Sequence, residues 1–102
     1  MTACFIVRAR LVYAADRDAF ERWYRDEHFP DAVKAFGAKR AWRGWSDTEP
    51  LLHYALYEFD TLEEARALPG SAALQRLVAE FDRVWGEKVV RERDRVEVVQ
   101  QA

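Results

Sequence analysis

The order in which hydrophobic periodicity changes along the chain constrains the fold more than any other feature. Residues typical of β-strands fill 3–13, 38–45, 52–59 and 89–99, whereas helical spacing fills the stretches 18–36 and 61–85. The element order is therefore β-α-β-β-α-β, the split unit of ferredoxin-like domains. The chain is 102 residues long, so we predict one α+β domain over 1–102, with a four-stranded antiparallel sheet and helices on one face.

Capping residues indicate where the helices begin and end. Asp18 with Glu21, and Thr61 with Glu64, have the spacing of capping boxes. Pro30 disfavours helical geometry in the residue before it, so the first helix is expected to stop or kink there. A second break is expected at Pro69-Gly70, inside the second helical stretch, and the helix then resumes.

The third strand has two apolar faces, which is unusual for a sheet covered on one side only. Leu52, Tyr54 and Leu56 alternate with Ala55, Tyr57 and Phe59, whereas a solvated face of an antiparallel sheet is polar. Two helices can cover only one face, so we expect a second copy of the chain to cover the other. The sequence thus predicts a homodimer through the helix-free sheet face. The last strand, with charged residues at 91–95, is expected at a sheet edge.

Composition excludes several classes of partner and site. The formal net charge is −2, which gives no electrostatic reason to expect nucleic acid or an anionic membrane surface. Two histidines and one cysteine make a metal site unexpected, and Cys4 cannot form an internal disulfide. No signal peptide or membrane-length apolar segment is visible. We expect a cytoplasmic protein without a metal or another cofactor.

The segment Trp23–Asp31 carries the most specific pattern in the chain. It resembles the W-Y-x-x-E-H-x-P-D signature of EthD-like members of the dimeric α+β-barrel superfamily, and a weaker resemblance extends through 37–45 and 54–59. The resemblance implies a homodimer whose two sheets face each other, with a small-molecule cavity between each sheet and its helices. Members of this superfamily include cofactor-free monooxygenases, polyketide cyclases, lactone isomerases and haem-degrading enzymes, so the fold does not name the reaction.

His28 is the leading candidate for acid/base catalysis, because imidazole titrates near neutral pH. It lies at the expected end of the first helix, where the helix dipole favours the protonated form. Tyr24 lies one turn earlier and can meet it side by side. Tyr57 and Tyr54 fall on opposite faces of the third strand, and Tyr57 is preferred because Ala55 leaves room beside it. The alternative is that His28 only binds a carbonyl group released at Pro30.

Four other residues are candidates for binding a ligand. Trp23 and Trp42 could stack on an aromatic substrate, and Arg40 could bind a carboxylate or phenolate. The favoured alternatives are core or interface packing for the tryptophans and a solvated charge for Arg40. His53 is the fourth; its alternative is a solvated position at the start of a strand.

Three function classes remain open. The first is a cofactor-independent enzyme of the cyclase, isomerase or monooxygenase type, acting on an aromatic or polyketide-like molecule with His28 as acid/base. The second is a non-catalytic dimeric module that binds a ligand or supports another enzyme. The third is a haem-handling protein with His28 as axial ligand.

Overall fold

A computed structural model describes residues 2–102 of the chain. Its strands are β1 (Ala3–Leu11), β2 (Arg40–Trp45), β3 (Leu52–Phe59) and β4 (Val89–Glu97). Its α-helices are α1 (Arg17–Trp23), α2 (Phe29–Phe36), α3 (Leu62–Ala67) and α4 (Ala72–Trp85). A π-helical turn, Tyr24–His28, joins α1 to α2, and 3₁₀ turns occupy Ala14–Asp16, Leu68–Gly70 and Gly86–Lys88.

The four strands form one antiparallel sheet in the order β2-β3-β1-β4. This confirms the predicted ferredoxin-like arrangement and places the charged last strand at an edge. The pairing register of the strands shows which side chains share a face of the sheet. Phe5 lies opposite Tyr57 on β3 and Arg95 on β4. The odd-numbered residues of all four strands therefore point toward the helices, because successive side chains alternate.

The core lies between the sheet and the helices. It joins odd-numbered strand residues to the buried stripe of α4 and to buried aromatic residues of the first helical stretch. The largest fully buried side chains are Tyr24, Tyr57, Phe5, Phe20, Phe59, Phe81 and His53. Aromatic rings thus fill much of the space in which the resemblance implies a ligand cavity.

The first helix begins differently from the sequence prediction. It starts at Arg17 after a 3₁₀ turn, and no side-chain cap hydrogen bond forms at its N-terminus. The predicted capping box of Asp18 and Glu21 is therefore wrong. The Glu21 carboxylate instead reaches β2, where Arg43 and Trp45 bind it, since an ion pair outcompetes a solvated backbone N–H for the same carboxylate.

Pro30 does not end the helix. Residue Phe29 keeps helical angles, φ −65° and ψ −49°, and Pro30 falls in the first turn of α2. The π turn immediately before it widens the backbone spiral, which accommodates a residue that has no N–H to donate. Helical geometry consequently runs from Arg17 to Phe36, and Gly37 ends it in the left-handed region with φ 63°.

The second helical stretch agrees with the sequence. The Thr61 hydroxyl accepts from the backbone N–H of Glu64 at 3.2 Å and donates to the Glu64 carboxylate at 3.1 Å, completing the predicted capping box. The chain breaks at Leu68–Gly70, and the Ser71 hydroxyl accepts from the Leu74 N–H to begin α4.

The helix-free face of the sheet is partly apolar and open in the single chain. Trp42, Val90 and Val96 are 54%, 58% and 39% exposed, and all three alternate with helix-facing residues on their strands. The Nε atom of Arg8, on the same face, is buried without a hydrogen-bond partner in the described part of the chain. Within residues 2–102 no helix is both long and apolar enough to cross a membrane.

Candidate active site in the His28 chamber

The π turn places His28 between the sheet and α4. Its imidazole stacks on the Trp23 indole with ring centroids 4.7 Å apart and an interplanar angle of 22°. The Tyr24 ring meets it edge-on at 4.8 Å, and Phe81 of α4 lies at 5.6 Å on another side. A π turn is often found at functional sites because it rotates a side chain out of regular helical register. Here it holds the imidazole among aromatic rings.

A small chamber lies beside His28. Tyr24, Tyr57, Phe81 and Arg91 are among the residues that enclose it with His28, and its volume is about 20 Å³. That space suits about one water molecule. The predicted pocket at His28 is therefore present but almost filled by side chains.

A much larger groove lies next to the chamber, between α4 and the edge strand β4. Its volume is about 610 Å³. Phe5, Leu74, Val78 and Arg93 line both spaces. These four side chains form the boundary between groove and chamber, so a molecule in the groove lies next to the residues around His28.

His28 is a neutral imidazole at physiological pH. Burial, and to a lesser extent the positive charge of Arg91, lowers its pKa to about 4, against a smaller opposing effect of Asp31. The predicted effect of a helix C-terminus is wrong, because helical geometry continues past His28 to Phe36. The Nδ1 atom is buried and has no hydrogen-bond partner among residues 2–102. The neutral ring therefore keeps a buried nitrogen that no described group engages, and the ring lines the chamber.

Two phenol groups accompany His28. Tyr24 is 1% exposed and Tyr57 is 1% exposed. Burial raises the pKa of Tyr24 to about 12, against a smaller lowering by its hydrogen-bonding interaction with Tyr57. Burial also raises the pKa of Tyr57 far above its usual range, with the adjacent Tyr24 adding to the effect. Both hydroxyls are therefore protonated, and they can donate hydrogen bonds to an anionic oxygen.

A second polar cluster lies on the other side of Tyr24, and it includes residues that the sequence interpretation did not select. Arg43 binds Glu21 through two hydrogen bonds of 2.8 and 2.6 Å, and the Trp45 indole N–H donates to the same carboxylate at 2.9 Å. Arg43 also donates to the Nε2 atom of His53 at 3.2 Å. Its direct partners lower the pKa of Glu21 to about 2, the Arg43 hydrogen bond most of all. The alternation of β2 would have placed Arg43 on the helix side, but nothing in the sequence pairs it with Glu21.

His53 is not solvated. Its exposed fraction is 0%, because it lies opposite Trp45 on β2 and Ala9 on β1 and packs under Phe20. Burial lowers its pKa to about 3, with Arg43 contributing in the same direction. Since Nε2 accepts from Arg43, the proton of the neutral ring is on Nδ1. His53 borders neither the chamber nor the groove.

The other candidate ligand-binding residues are distributed over both faces. The Trp23 indole stacks on the His28 ring, and Trp23 does not line the chamber. Arg40 and Trp42 point to the helix-free face, where Arg40 pairs with Glu58 at 3.3 Å. The structure therefore brings together His28, Tyr24 and Tyr57 and separates Arg40 and Trp42 from them. His53 contacts Tyr24, with ring centroids 4.4 Å apart, but lines neither the chamber nor the groove.

The arrangement of the described side chains does not favour a metal site or a haem site. In the described residues no group of three or more His, Cys, Asp or Glu side chains is arranged to hold a metal ion. A haem ligated by His28 would not fit the chamber of about 20 Å³ without displacing the side chains around it, so no observation favours the haem-handling alternative. Cys4 is buried, and burial raises the pKa of its thiol, so it is a poor nucleophile.

Solved structures share the architecture of this chain. HapK from Hahella chejuensis is 17% identical over 98% of this chain and 95% of that one, with a TM-score of 0.70. An EthD family protein from Bacillus halodurans is 15% identical over 92% and 97%, with a TM-score of 0.69. SnoaB, a cofactor-independent oxygenase from Streptomyces nogalater, is 10% identical over 98% and 95%, with a TM-score of 0.67.

Sequence comparison adds nothing to this likeness. No protein-family model matches the chain, and no curated protein matches it significantly. Identities this low establish a shared fold and leave the activity open. The chain has the ferredoxin-like α+β fold that its element order predicted.

Proposed function

We propose that the protein is a homodimeric, cofactor-independent enzyme that removes a proton from an activated carbon of an aromatic or polyketide-like substrate, with His28 as the base. One observation carries the proposal: a neutral, unpartnered imidazole faces two protonated phenols beside a groove large enough for a small molecule. Cyclases, isomerases and cofactor-free monooxygenases can all begin with this proton transfer, so the proposal does not depend on the later steps.

The residues have complementary roles in such a step. A proton leaves the carbon atom and its electron pair passes to an adjacent carbonyl oxygen, giving an enolate, while the imidazole of His28 becomes protonated. The hydroxyls of Tyr24 and Tyr57 are donors that can stabilise the enolate oxygen. Because burial lowers the pKa of His28, the free base predominates at neutral pH. A nearby enolate charge opposes this effect and favours the protonated ring as the reaction proceeds.

We expect the substrate to approach His28 through the groove. Its walls include Leu74 and Val78 of α4, which suit a planar apolar substrate. The chamber itself is too small for an aromatic ring, so the substrate must displace boundary side chains to reach His28. Arg93 is exposed and therefore free to move. The description of SnoaB as a cofactor-independent oxygenase supports the proposal as an example of such chemistry on this fold.

We propose a homodimer because the helix-free face of the sheet exposes apolar side chains. Trp42, Val90 and Val96 leave apolar surface open there, and the Arg8 Nε atom lacks a partner in the described chain. A second sheet packed on this face would cover the apolar side chains. Light scattering should report about 24 kDa, twice the 12.0 kDa chain. Leu56→Asp should dissociate or unfold the protein, whereas a folded wild-type monomer at micromolar concentration would contradict the dimer.

The non-catalytic binding module remains the second candidate, and the small volume of the chamber favours it. An enzyme needs the reacting carbon to approach His28 to hydrogen-bonding distance, whereas a binding module can hold its ligand entirely in the groove. The two candidates therefore differ in whether a bound ligand exchanges protons with His28.

Anthrone provides a direct test, because its methylene protons are acidic and the loss of one gives an enolate. Under argon in D₂O, the wild-type protein should accelerate deuterium incorporation at that carbon, followed by NMR. His28→Gln should reduce the rate by about 10²–10⁴-fold. Glu27→Gln, an exposed neighbour on the same turn, is the matched control and should leave the rate unchanged. Binding of anthrone without any acceleration would support the non-catalytic module instead.

A further inference from the structure

Three arginines of β4 form a row on the helix-facing side of the sheet. Arg91, Arg93 and Arg95 alternate with Glu92 and Asp94, and they lie opposite Ala9, Val7 and Phe5 of β1. Neighbouring members of the row are about 7 Å apart along the strand. The sequence explains these charges as protection of an edge strand, but the register points them toward α4 and the groove.

The acidic groups near this row are already engaged. Asp82 of α4 pairs with Arg91, whose guanidinium also lies 4.0 Å from the centre of the Phe81 ring. The Asp94 carboxylate accepts from the backbone N–H of Arg95 at 2.8 Å. The groove lining therefore carries the carboxylates of Asp82 and Asp94 as well as two guanidiniums, and Arg93 and Arg95 form no ion pair in the described part of the chain.

Of the three arginines, Arg93 lies where the groove meets the chamber. It lines both the groove and the chamber, together with Phe5, Leu74 and Val78. Arg91 lines the chamber and lies near enough to His28 to lower the pKa of that ring. Burial lowers the pKa of Arg91, and the adjacent charge of Arg93 lowers it further. The positive charges of Arg91 and Arg93 therefore repel each other. An anion placed between the two guanidiniums would relieve this repulsion.

We propose that the ligand of this site is an apolar carboxylate, whose anionic group binds Arg93 at the mouth of the chamber and whose apolar part lies along Leu74, Val78 and Ala79 in the groove. This inference rests on the proposed function, for which it names the chemical class of substrate. Arginine suits the task because its planar guanidinium can bind a carboxylate through two parallel hydrogen bonds. The carboxylate would hold the apolar part of the molecule in the groove, next to the side chains that separate it from the chamber at His28.

The test compares two probes of equal shape that differ in charge. Calorimetric titration with 1-naphthoate and the neutral 1-naphthamide should give at least about tenfold tighter binding of the acid, as expected for a charge-assisted bond. Arg93→Gln should remove that preference and leave the amide affinity unchanged. Arg93→Lys keeps the charge without the planar fork and should retain part of the preference. Arg83→Gln, on an exposed position of α4 outside the groove, is the matched control.

Several outcomes would overturn the inference. They are equal affinity for the two probes, a preference for the acid that survives Arg93→Gln, and no binding of either probe. If anthrone exchange is accelerated while any of these occurs, the ligand class is wrong and the catalytic proposal stands. If naphthoate binding depends on Arg93 while anthrone exchange is absent, the ligand class stands and the catalytic proposal fails.

Discussion

The two histidines of this protein lie on either side of Tyr24 and have opposite relations to their surroundings. His53 is fully buried, and its Nε2 atom accepts from an arginine that is itself bound to Glu21. His28 lies beside a chamber, whereas His53 lines no cavity; the Nδ1 atoms of both rings are buried without a partner in residues 2–102. Burial is the largest cause of the lowered pKa in both cases.

This contrast shows that a perturbed pKa does not by itself identify a catalytic residue. Both rings are neutral at pH 7, and the ring with the lower pKa, His53, is the one without access to a ligand. What distinguishes His28 is a space beside it and donors around that space. The predictions below test whether His28 belongs to a site and His53 to a structural network.

The largest expected effect is on catalysis. Replacing His28 by Gln should slow proton exchange of anthrone by about 10²–10⁴-fold. It should lower the free energy of unfolding by only about 1 kcal/mol, because ring contacts with Trp23 and Tyr24 are lost but Nδ1 has no hydrogen bond to lose. A variant with normal exchange and reduced stability would assign His28 a structural role. Urea unfolding followed by tryptophan fluorescence measures the stability.

The next largest effect is on acid stability. The unfolded histidine binds a proton near pH 6.5, whereas folded His28 binds it only near pH 4. The unfolded state therefore takes up more protons as the pH falls, and His28 should remove on the order of 2–3 kcal/mol of stability between pH 6.5 and 4. His28→Gln should lack this loss. In NMR titrations His53 should protonate at a lower pH than His28, near 3, and the reverse order would contradict the comparison.

A smaller effect is expected for the structural network. Glu21→Ala removes the partner of Arg43, whose side chain is 15% exposed, and should destabilise the fold by about 2 kcal/mol, which is between the values for surface and buried ion pairs. Resonances of His53 should shift while those of His28 stay in place. Glu27→Ala is the control, and equal stability of the two variants would show that the network contributes little.

The smallest effect concerns the support of His28. Trp23→Leu removes the ring stacked on the imidazole at 4.7 Å and should destabilise the fold by about 1 kcal/mol. The pKa of His28 should rise, because loss of the indole admits water to the ring. His53 is the internal control, since Trp23 does not contact it. An unchanged His28 titration would show that the stack does not determine its environment.

Local rules predicted most of the fold correctly. Alternation in β3 and the stripe of α4 identify which residues face the core, and the Thr61–Glu64 box marks the start of α3. These predictions succeed because the interacting atoms are a few residues apart in the chain. The same rules failed at Asp18, where a distant ion pair engages Glu21. At Pro30 they did not anticipate the π turn, after which helical geometry continues to Phe36.

The site was only partly predictable for the same reason. His28, Tyr24 and Tyr57 were selected from a helical turn and from strand alternation, and the structure places them together. The burial of His53 and the pairing of Glu21 with Arg43 depend on contacts between residues more than twenty positions apart or on neighbouring strands. No local pattern encodes such contacts.

The sequence by itself determined the order of the elements, the faces of the strands and the position of His28 on the first helical stretch, because hydrophobic spacing and capping act over one or two turns. Only the tertiary structure decided which histidine is enclosed, which side of β4 its arginines occupy and how little space remains beside His28. Those properties depend on how helices and sheet pack, since the distance between packed elements fixes the volume between them and the burial of each charge.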